Sequence, residues 1–341
     1  MARTGIEDKL PWRRVPGAVR GQVEAALGAP VRRVARIWGG YSPTPTFRLA
    51  LADGRRAFFK ATHGETNEFA TNALALEVKV YAELGSLLAG WAPRCFAAFR
   101  HDDWHVLLLE DLGPKSAPPW TPALARSTAR ALGRFHLATL GTPLPAWLTR
   151  PEQRLPEEDW QRTVQESQQL RAIATLAGEA APEALAWLRA IGPHIEATMR
   201  HPALMVEPFA LLHGDLRSDN LRIARQRLSL FDWPAITVGR PEWDMVAFVQ
   251  TVTVEGGPQP ETVLAWYGET FPVDAGAVDG ALAWWFTFFA DCAWRPELPE
   301  LPRLRRFQQQ QLAVLAQWAA RRWVLPEPRW ARYLSTSGAN R

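Results

Sequence analysis

Residues 213–220 read HGDLRSDN, and residues 228–233 read LSLFDW. Together they place Asp215 five positions before Asn220, and Asp232 at the end of a short apolar run. Transfer of a phosphoryl group requires a carboxylate beside the attacking hydroxyl and an Asn/Asp pair that holds the magnesium ion bridging the phosphates. The two segments therefore predict that Asp215 faces an alcohol acceptor. They also predict that Asn220 and Asp232 are ligands of Mg²⁺, because hard oxygen donors suit this cation.

The spacing of Asp215 and Asn220 is that of the kinase catalytic loop. The sequence HGDLRSDNL…LFDW also resembles the aminoglycoside phosphotransferase and choline kinase-like family of small-molecule kinases. The alternative interpretation is that Asp215 and Asn220 only cap a turn. Asp232, which closes its apolar run, favours the first interpretation over the second.

The resemblance covers most of the chain and implies an α+β, bilobal, protein-kinase-like fold. The N-lobe, residues 1–110, would bind the nucleotide and consist of an antiparallel five-stranded sheet with one main helix. The C-lobe, residues 111–341, would be mostly helical and carry the catalytic loop and the acceptor site. The implied function is O-phosphotransfer to a hydroxyl of a small molecule, with ATP and Mg²⁺ as cofactors.

Composition places the chain among ordinary globular proteins. It has 341 residues, of which 47% are hydrophobic and 22% are charged, which is enough for two lobes and a large core. No apolar run is long enough to span a membrane, and the N-terminal residues lack the apolar core of a signal peptide. Because Cys95 and Cys292 lie far apart and are the only cysteines, we expect a cytoplasmic protein without a disulfide framework.

The net charge of +4 raises the question of a nucleic-acid partner. No block of Lys and Arg dominates the sequence, and Arg, Pro, Ala and Trp are enriched together, as in proteins from GC-rich genomes. A mildly basic cleft also suits ATP, which is itself an anion. We therefore expect a small-molecule acceptor as partner, with neither nucleic acid nor membrane, and the sequence leaves the oligomeric state open.

The first third of the chain has the pattern of an antiparallel sheet. Alternation over 46–51 places three apolar side chains on one face, and Asp53-Gly54 predicts a two-residue hairpin turn before a return strand at 56–61. Patterns of the same kind predict strands near 36–38, at 94–100 and at 104–110, and helices at 15–29 and 70–89. After the prolines that follow Glu110, helical periodicity predominates from residue 123 on, including 158–176, 181–199, 243–254, 259–269, 278–293 and 302–323.

Lys60 and Glu77 are predicted to form an ion pair. Lys60 lies between Phe59 and Ala61 on an apolar strand, so its ammonium must reach a cleft or a partner. Glu77 falls on the apolar stripe of the 70–89 helix, where an acid needs a cation. In kinases a Lys on this strand contacts the ATP phosphates and pairs with a helix Glu. The alternative is that Glu77 lies at the edge of the stripe and reaches solvent.

The family resemblance implies two further nucleotide-binding segments. Residues 37–42 resemble the phosphate loop, in which main-chain N–H groups of Gly39, Gly40 and Ser42 would contact the nucleotide, although an ordinary turn is the alternative. Residues 106–112 resemble the hinge between lobes, where adenine would dock against main-chain groups of Glu110 and Leu112. The alternative for this second segment is an edge strand that ends in a loop.

Residues 239–244, GRPEWD, resemble the G-x-P-x-x-D segment of the family. This resemblance implies that Asp244 braces the catalytic loop through its backbone, while Glu242 could instead face the substrate. By the same resemblance His213 packs within the catalytic loop. His136, on a helix stripe beside Leu132, is predicted to be a core histidine.

Departures from kinase patterns keep a second function open. The chain has Asp232-Trp233-Pro234 where protein kinases have D-F-G, and its glycine loop is not G-x-G-x-x-G. These features allow a catalytically weak or inactive nucleotide-binding module as the alternative. The acceptor also stays open among aminoglycosides, amino sugars, choline-like compounds and related alcohols. The aromatic run at 284–289 could line a pocket, although a core role is the commoner one for such a run.

Overall fold

The structure is a computed structural model that describes residues 9–38, 44–154, 160, 167–224, 227–298, 301 and 303–336. The described strands are β1 (Val31–Arg36), β2 (Thr46–Leu51), β3 (Arg56–Thr62), β4 (Cys95–His101), β5 (Trp104–Glu110), β6 (Ala210–Leu212), β7 (Leu221–Ala224), β8 (Arg227–Leu230) and β9 (Thr237–Gly239). The described α-helices are α1 (Gly17–Leu27), α2 (Glu68–Leu84), α3 (Pro122–Thr139), α4 (Pro151–Arg154), α5 (Ser167–Thr175), α6 (Ala181–Met199), α7 (Glu242–Val254), α8 (Pro260–Gly268), α9 (Ala275–Ala293), α10 (Leu304–Arg322) and α11 (Ala331–Thr336).

The chain divides into two compact units. The first comprises Met1–Ser116, Asp219–Pro234 and Leu298–Pro302, and the second comprises Ala117–Ser218, Ala235–Glu297 and Arg303–Arg341. The β7–β8 hairpin, which lies between Asn220 and Asp232, thus groups with the N-terminal sheet, and the N–H of Leu230 donates to Trp91 O at 2.6 Å. The division into an N-lobe of residues 1–110 and a C-lobe of residues 111–341 stays a prediction.

The first unit contains the predicted antiparallel five-stranded sheet, in the order β1-β2-β3-β5-β4. The predicted alternation in β2 is confirmed, since Phe47, Leu49 and Leu51 are buried. Gly54, in the turn between β2 and β3, has φ +86°, a left-handed backbone that glycine adopts without strain. The resulting hairpin pairs Thr46 with Lys60.

Alternation in β3 decides where the site forms. Phe59 is wholly buried with α1 on one face of the sheet, in the same core as Val19 and Val23. Successive side chains of a strand point to opposite faces. Phe58 and Lys60 therefore lie on the other face, where Phe58 packs against the core that Leu74 of α2 forms with β5.

Helix α2 begins with a capping interaction, because the Asn67 side chain accepts from the N–H of Ala70 at 2.8 Å. Its buried face carries Leu74, Glu77 and Leu84, as the sequence stripe predicts. The predicted end at residue 89 is wrong, since the helix ends at Leu84 and Gly85, a poor helix former, follows.

The second unit is mostly helical. The predicted helix at 181–199 is confirmed as α6. Of the predicted helix at 158–176, the structure describes α5 (Ser167–Thr175), Leu176 and the single residue Trp160. Trp284, Trp285 and Phe286 of α9 are buried, which favours a core role for the aromatic run. The β6–β9 pair flanks the catalytic stretch, which begins directly after β6. No described helix is both long and apolar enough to cross a membrane.

Candidate active site

One ammonium and two carboxylates meet in the first unit. Lys60 Nζ donates to Glu77 Oε2 at 2.6 Å and to Asp232 Oδ1 at 2.7 Å. The predicted ion pair between Lys60 and Glu77 is therefore confirmed. The alternative that Glu77 reaches solvent is wrong, because its side chain is only 1% exposed. Lys60 of β3, Glu77 of α2 and Asp232, which follows β8, form what we call the ammonium–carboxylate triad.

Glu77 also holds the backbone of Asp232. Glu77 Oε1 accepts from the N–H of Asp232 at 3.0 Å, so both oxygens of this carboxylate are used. Asp232 has φ +66°, a left-handed conformation that is uncommon outside glycine and that Asp and Asn adopt more readily than other residues. The hydrogen bond from Glu77 stabilises this conformation, which directs the Asp232 carboxylate to Lys60.

The electrostatics of the triad favour a charged lysine. Burial disfavours the ammonium of Lys60, but the facing charges of Asp232 and Glu77 outweigh burial and raise the pKa of Lys60 above its usual range. Burial also raises the pKa of Glu77, against the lowering effect of Lys60. One positive and two negative groups at this point sum to −1, so the triad has a surplus of carboxylate oxygen.

The triad lines a cavity within the first unit of about 940 Å³, a volume that includes open solvent. Of the residues predicted to bind nucleotide or metal, the structure brings Lys60, Glu77, Glu110, Leu112, Asn220 and Asp232 to this one cavity. Gly39, Gly40 and Ser42 lie outside the described residues, although Trp38 and Thr44 on either side line the same cavity.

Asn220 and Asp232 fit the donor set that Mg²⁺ prefers. Both residues line the same cavity, and their side chains carry an amide oxygen and a carboxylate. Mg²⁺ keeps several waters and needs only one or two protein carboxylates beside substrate phosphates. The described residues contain no group of three or more His, Cys, Asp or Glu side chains that could hold a metal by themselves. The pair therefore suits an ion shared with a phosphate ligand.

The other end of the cavity carries charges that sequence reasoning missed. Asp111 is 2% exposed, and its Oδ1 lies 3.1 Å from Arg48 Nε and accepts from the N–H of Gly113 at 2.9 Å. Arg222, also in the cavity wall, donates from Nη1 to Leu221 O at 2.7 Å. Burial and the charge of Arg48 lower the pKa of Arg222 to about 10, despite Asp111. The sequence does not mark Arg48 as a cavity residue, because alternation in β2 places it on the face where a solvent-exposed arginine is equally expected.

In the second unit, Asp244 holds the start of the catalytic loop. Its Oδ2 accepts from the N–H of His213 at 2.6 Å, and its Oδ1 accepts from the N–H of Gly214 at 2.8 Å. The predicted bracing role of Asp244 is thus confirmed. Gly214 has φ +78°, and a Cβ at this position would lie 2.0 Å from Ala235 O, so only glycine fits.

Buried polar contacts position Asp244 in turn. His136 is fully buried, as predicted, and its Nδ1 lies 2.9 Å from the Tyr267 hydroxyl while its Nε2 lies 3.4 Å from Asp244 Oδ2. His213 is also buried within the loop, with its Nδ1 accepting from the N–H of Asp215 at 3.3 Å. The alternative that Glu242 faces the substrate is wrong, because its buried side chain accepts from the N–H of Asp274 at 2.9 Å.

Asp215 belongs to the second unit and has a cationic neighbour that the sequence did not assign. Arg217 Nη2 donates to Asp215 Oδ2 at 2.9 Å, and the two side chains are 15% and 34% exposed, respectively. Asp215 and Arg217 are two positions apart in a loop, where no helical or strand periodicity predicts which side chains meet. Only the structure therefore shows this pair. Arg217 fixes the orientation of the carboxylate that the sequence places at the acceptor.

Comparisons with known proteins agree with these observations. The model of the phosphotransferase enzyme family (APH) matches residues 33–279. Three solved structures are similar at 12–15% identity: spectinomycin phosphotransferase APH(9)-Ia in complex with ADP and spectinomycin (12% identity, 89% of this chain and 98% of that chain, TM-score 0.56), an aminoglycoside phosphotransferase from Alicyclobacillus acidocaldarius (14%, 86% and 93%, 0.55), and macrolide 2'-phosphotransferase MphH from Brachybacterium faecium (15%, 87% and 96%, 0.54). These likenesses confirm the predicted fold class, and no curated protein matches the chain by sequence.

Replacing Glu77 tests the buried end of the triad. In Glu77→Gln an amide N–H₂ must face either the Lys60 ammonium or the N–H of Asp232, and both are donors. We expect a loss of about 2–4 kcal/mol in the free energy of unfolding, measured by urea denaturation. The matched control is Glu83→Gln on the exposed face of α2, which should stay within about 0.5 kcal/mol of the parent. Equal stability of the two variants would contradict the bracing role.

Replacing Asp244 tests the loop brace in the second unit. Asp244→Asn retains one acceptor oxygen and turns a donor group toward a backbone N–H, so we expect a lower thermal midpoint and a loss of about 2–3 kcal/mol. The control is Asp291→Asn, an acid that pairs with exposed Arg295 and should contribute roughly 0–1 kcal/mol. An unchanged midpoint for Asp244→Asn would show that the two backbone contacts do not hold the loop.

Replacing Arg222 tests the charge balance at the far end of the cavity. Its pKa is lowered to about 10, first by burial, so below that pH the charged guanidinium destabilises the folded protein relative to the unfolded chain. Arg222→Met keeps most of the stem and removes the charge, and it should stabilise the ligand-free protein by about 1 kcal/mol at neutral pH. The gain should begin to decrease near pH 10 and fall further as the pH approaches the ordinary pKa of arginine. Arg20→Met, on exposed α1 surface, is the control, and a destabilised Arg222→Met would refute the charge-crowding account.

Proposed function

Because the chain belongs to the phosphotransferase enzyme family, we propose that it is a kinase that transfers the γ-phosphoryl group of ATP, with Mg²⁺, to a hydroxyl of a small molecule. The observation that carries this proposal is the ammonium–carboxylate triad in the wall of a cavity that also contains Asn220. A lysine held between a helix carboxylate and a second carboxylate is the arrangement that kinases use at the phosphates. Small-molecule phosphotransfer follows from the family.

The nucleotide would occupy the cavity of the first unit. Lys60 would contact the phosphates, and Glu77 would hold Lys60 in place. Main-chain groups of Glu110 and Leu112 would face the base, and both residues line the cavity. The N–H of Glu110 already donates to Arg94 O at 2.8 Å, so Glu110 would contribute its carbonyl. Gly39, Gly40 and Ser42 remain the predicted main-chain contacts of the phosphates. The spectinomycin phosphotransferase of similar fold contains ADP.

Asn220 and Asp232 would hold the magnesium ion. When bound, Mg²⁺ supplies charge neutralisation between the phosphates and fixes their orientation. Asp232 accepts from Lys60, and its side chain is 37% exposed. Lys60 retains Glu77 as a partner when Asp232 turns to a cation, so the ammonium would not become unpaired.

Asp215 would face the acceptor. Its carboxylate would orient the attacking hydroxyl and accept its proton late in the reaction, so most of its effect is positioning. Arg217 would hold one carboxylate oxygen, Oδ2, and so fix the orientation of the carboxylate toward the acceptor. Asp244 and His136 would act only through the backbone of the loop that carries Asp215.

The acceptor is proposed as a small alcohol, with aminoglycosides, amino sugars, choline-like compounds and related alcohols as the classes to screen. The burial of Trp284, Trp285 and Phe286 disfavours an aromatic-walled cation site at this run. Phe288 is the half-buried member of that run, and it stacks on Trp284 at 5.5 Å. Acidic pocket residues would favour a polycationic acceptor by electrostatic complementarity.

A catalytically weak nucleotide-binding module is the second candidate. Pro234 favours it, since the residue after Trp233 cannot donate a main-chain hydrogen bond. Magnesium-dependent nucleotide binding without phosphoryl transfer to any acceptor of a broad panel would support this second function. Slow ATP hydrolysis without acceptor would support the first function, phosphoryl transfer to a small molecule.

Asp215→Asn tests the proposed chemistry. The amide cannot accept the proton, so we expect turnover to fall by roughly 10²–10⁴-fold, with little change in nucleotide affinity. Turnover is measured by mass shift of the acceptor, and affinity by calorimetry with ATP and Mg²⁺. The control is Asp102→Asn, an 86% exposed turn residue with φ +51° that Asn also adopts. Normal turnover of Asp215→Asn would exclude the assigned role.

A further inference from the structure

The catalytic loop is held at its C-terminal end as well as at its start. Ser218, three positions after Asp215, is 1% exposed, and its hydroxyl donates to Glu255 Oε1 at 2.6 Å. This length is in the range of a charge-assisted hydrogen bond, which is stronger than one between neutral groups. The chain then continues from Ser218 to Asn220 in one 3₁₀ turn. Glu255 therefore holds the residue at which the loop passes into this turn.

Contacts on either side fix the Glu255 carboxylate in place. Its Oε2 accepts from Trp120 Nε1 at 2.7 Å, and the buried Trp120 ring packs edge-on against Phe248 at 5.6 Å. The main-chain N–H of Glu255 donates to Thr251 O at 3.0 Å, which continues the hydrogen bonding of α7. Because both carboxylate oxygens accept a hydrogen bond, Glu255 cannot turn away from Ser218 without also losing Trp120.

A single helix holds both ends of the loop. Asp244 lies in the first turn of α7, and Glu255 directly follows the last residue of this helix, Val254. An α-helix rises about 1.5 Å per residue, so the two acids are about 16 Å apart along its axis. Residues 242–252 are all buried, and α7 packs against α8, α9 and α10, which makes it a rigid support. The middle of the loop, which carries Asp215, is therefore fixed from both ends.

The position of Glu255 is unfavourable for the helix itself. The C-terminal end of a helix carries partial negative charge, so cations are preferred there and an acid costs stability. Gly256, with φ +80°, supplies the left-handed residue that ends many helices. Because α7 ends through Gly256 and the acid opposes the helix dipole, the contact with the loop is the better explanation for Glu255.

Resting on the proposed function, we propose that Glu255 is a positioning residue for phosphoryl transfer. It holds the loop through the Ser218 hydroxyl, and so keeps the Asp215 carboxylate where the attacking hydroxyl of the acceptor is bound. It takes no part in proton transfer and acts through Ser218 alone. A displaced catalytic group slows the chemical step more than it weakens substrate binding, so the effect should appear in kcat and not in the KM for ATP.

The test combines removal of each partner with removal of both. The full chain and its Ser218→Ala, Glu255→Ala and Ser218→Ala/Glu255→Ala variants are compared by kcat and by the KM for ATP, with Mg²⁺ present. Water, kanamycin, glucosamine and choline serve as acceptors, so that the proposed classes are represented. In the absence of any substrate, hydrogen exchange of residues 213–220 is followed by mass spectrometry, which reports on the loop independently of turnover.

We expect Ser218→Ala and Glu255→Ala each to lower kcat roughly 10- to 100-fold, with the KM for ATP unchanged. The double variant should be no slower than Glu255→Ala, because both substitutions remove the same contact. Glu255→Gln should retain most of the turnover, since its amide oxygen can accept from Trp120 while its N–H₂ donates to the Ser218 hydroxyl. Hydrogen exchange of the loop should be faster in both alanine variants than in the parent.

The matched control is Glu269→Ala. Glu269 also directly follows the last residue of its helix, α8, and it pairs with exposed Arg126 at 2.8 Å. This substitution removes an acid from the same position of a helix, so kcat should stay within about twofold of the parent. Trp120→Phe, which keeps a ring and removes the donor, should lower kcat less than Glu255→Ala. If Glu255→Ala does not fold, Ser218→Ala still tests the contact, because it removes one hydroxyl only.

The results that would contradict the inference differ in what else they refute. Normal kcat or unchanged loop exchange in Ser218→Ala, in a parent that transfers phosphoryl groups, refutes the positioning role and leaves the proposed function standing. Losses that multiply in the double variant do the same, because the two residues then act independently. A loss in Trp120→Phe as large as that in Glu255→Ala shows that Glu255 holds the residue before α3 and not the loop. A parent that transfers no phosphoryl group to any of the four acceptors refutes the proposed function and the inference together.

Discussion

The carboxylate of Glu77 is the constraint on which the first unit depends. A carboxylate with 1% exposure is costly unless both its oxygens are paired, and here one accepts from Lys60 and the other from the backbone of Asp232. These contacts join a sheet strand, the main helix and the residue that follows the β7–β8 hairpin. The site and the stability of the unit therefore share one buried group.

The cavity next to this group has cationic side chains at both ends, and the balance of charge differs between the two ends. At the triad end, the single ammonium of Lys60 faces two carboxylates. This charge balance suits a divalent ion together with a phosphate chain better than either of them alone. At the far end, Asp111 pairs with Arg48, and burial together with the charge of Arg48 lowers the pKa of Arg222. A ligand with acceptor groups at this end would relieve that crowding, because a guanidinium offers donors only.

Most of the fold and the centre of the site could be predicted from sequence, because they follow from the two-residue alternation of strands and the 3.6-residue repeat of helices. Alternation in β3 places Lys60 opposite Phe59, and the helical stripe of α2 places Glu77 on the buried face. Arg217, Arg222 and Glu255 could not be predicted, because their partners depend on loop geometry or on long-range packing. The contact of Glu255 with Ser218 spans 37 positions, and no local pattern encodes it.

A crystal structure of the chain with a non-hydrolysable ATP analogue and Mg²⁺ tests the central claim most directly. The account predicts a phosphate oxygen within hydrogen-bond distance of Lys60 Nζ, the metal ion on Asn220 and Asp232, and Glu77 still accepting from Lys60. A nucleotide bound elsewhere, or a Lys60 that keeps both carboxylates and contacts no phosphate, would contradict it.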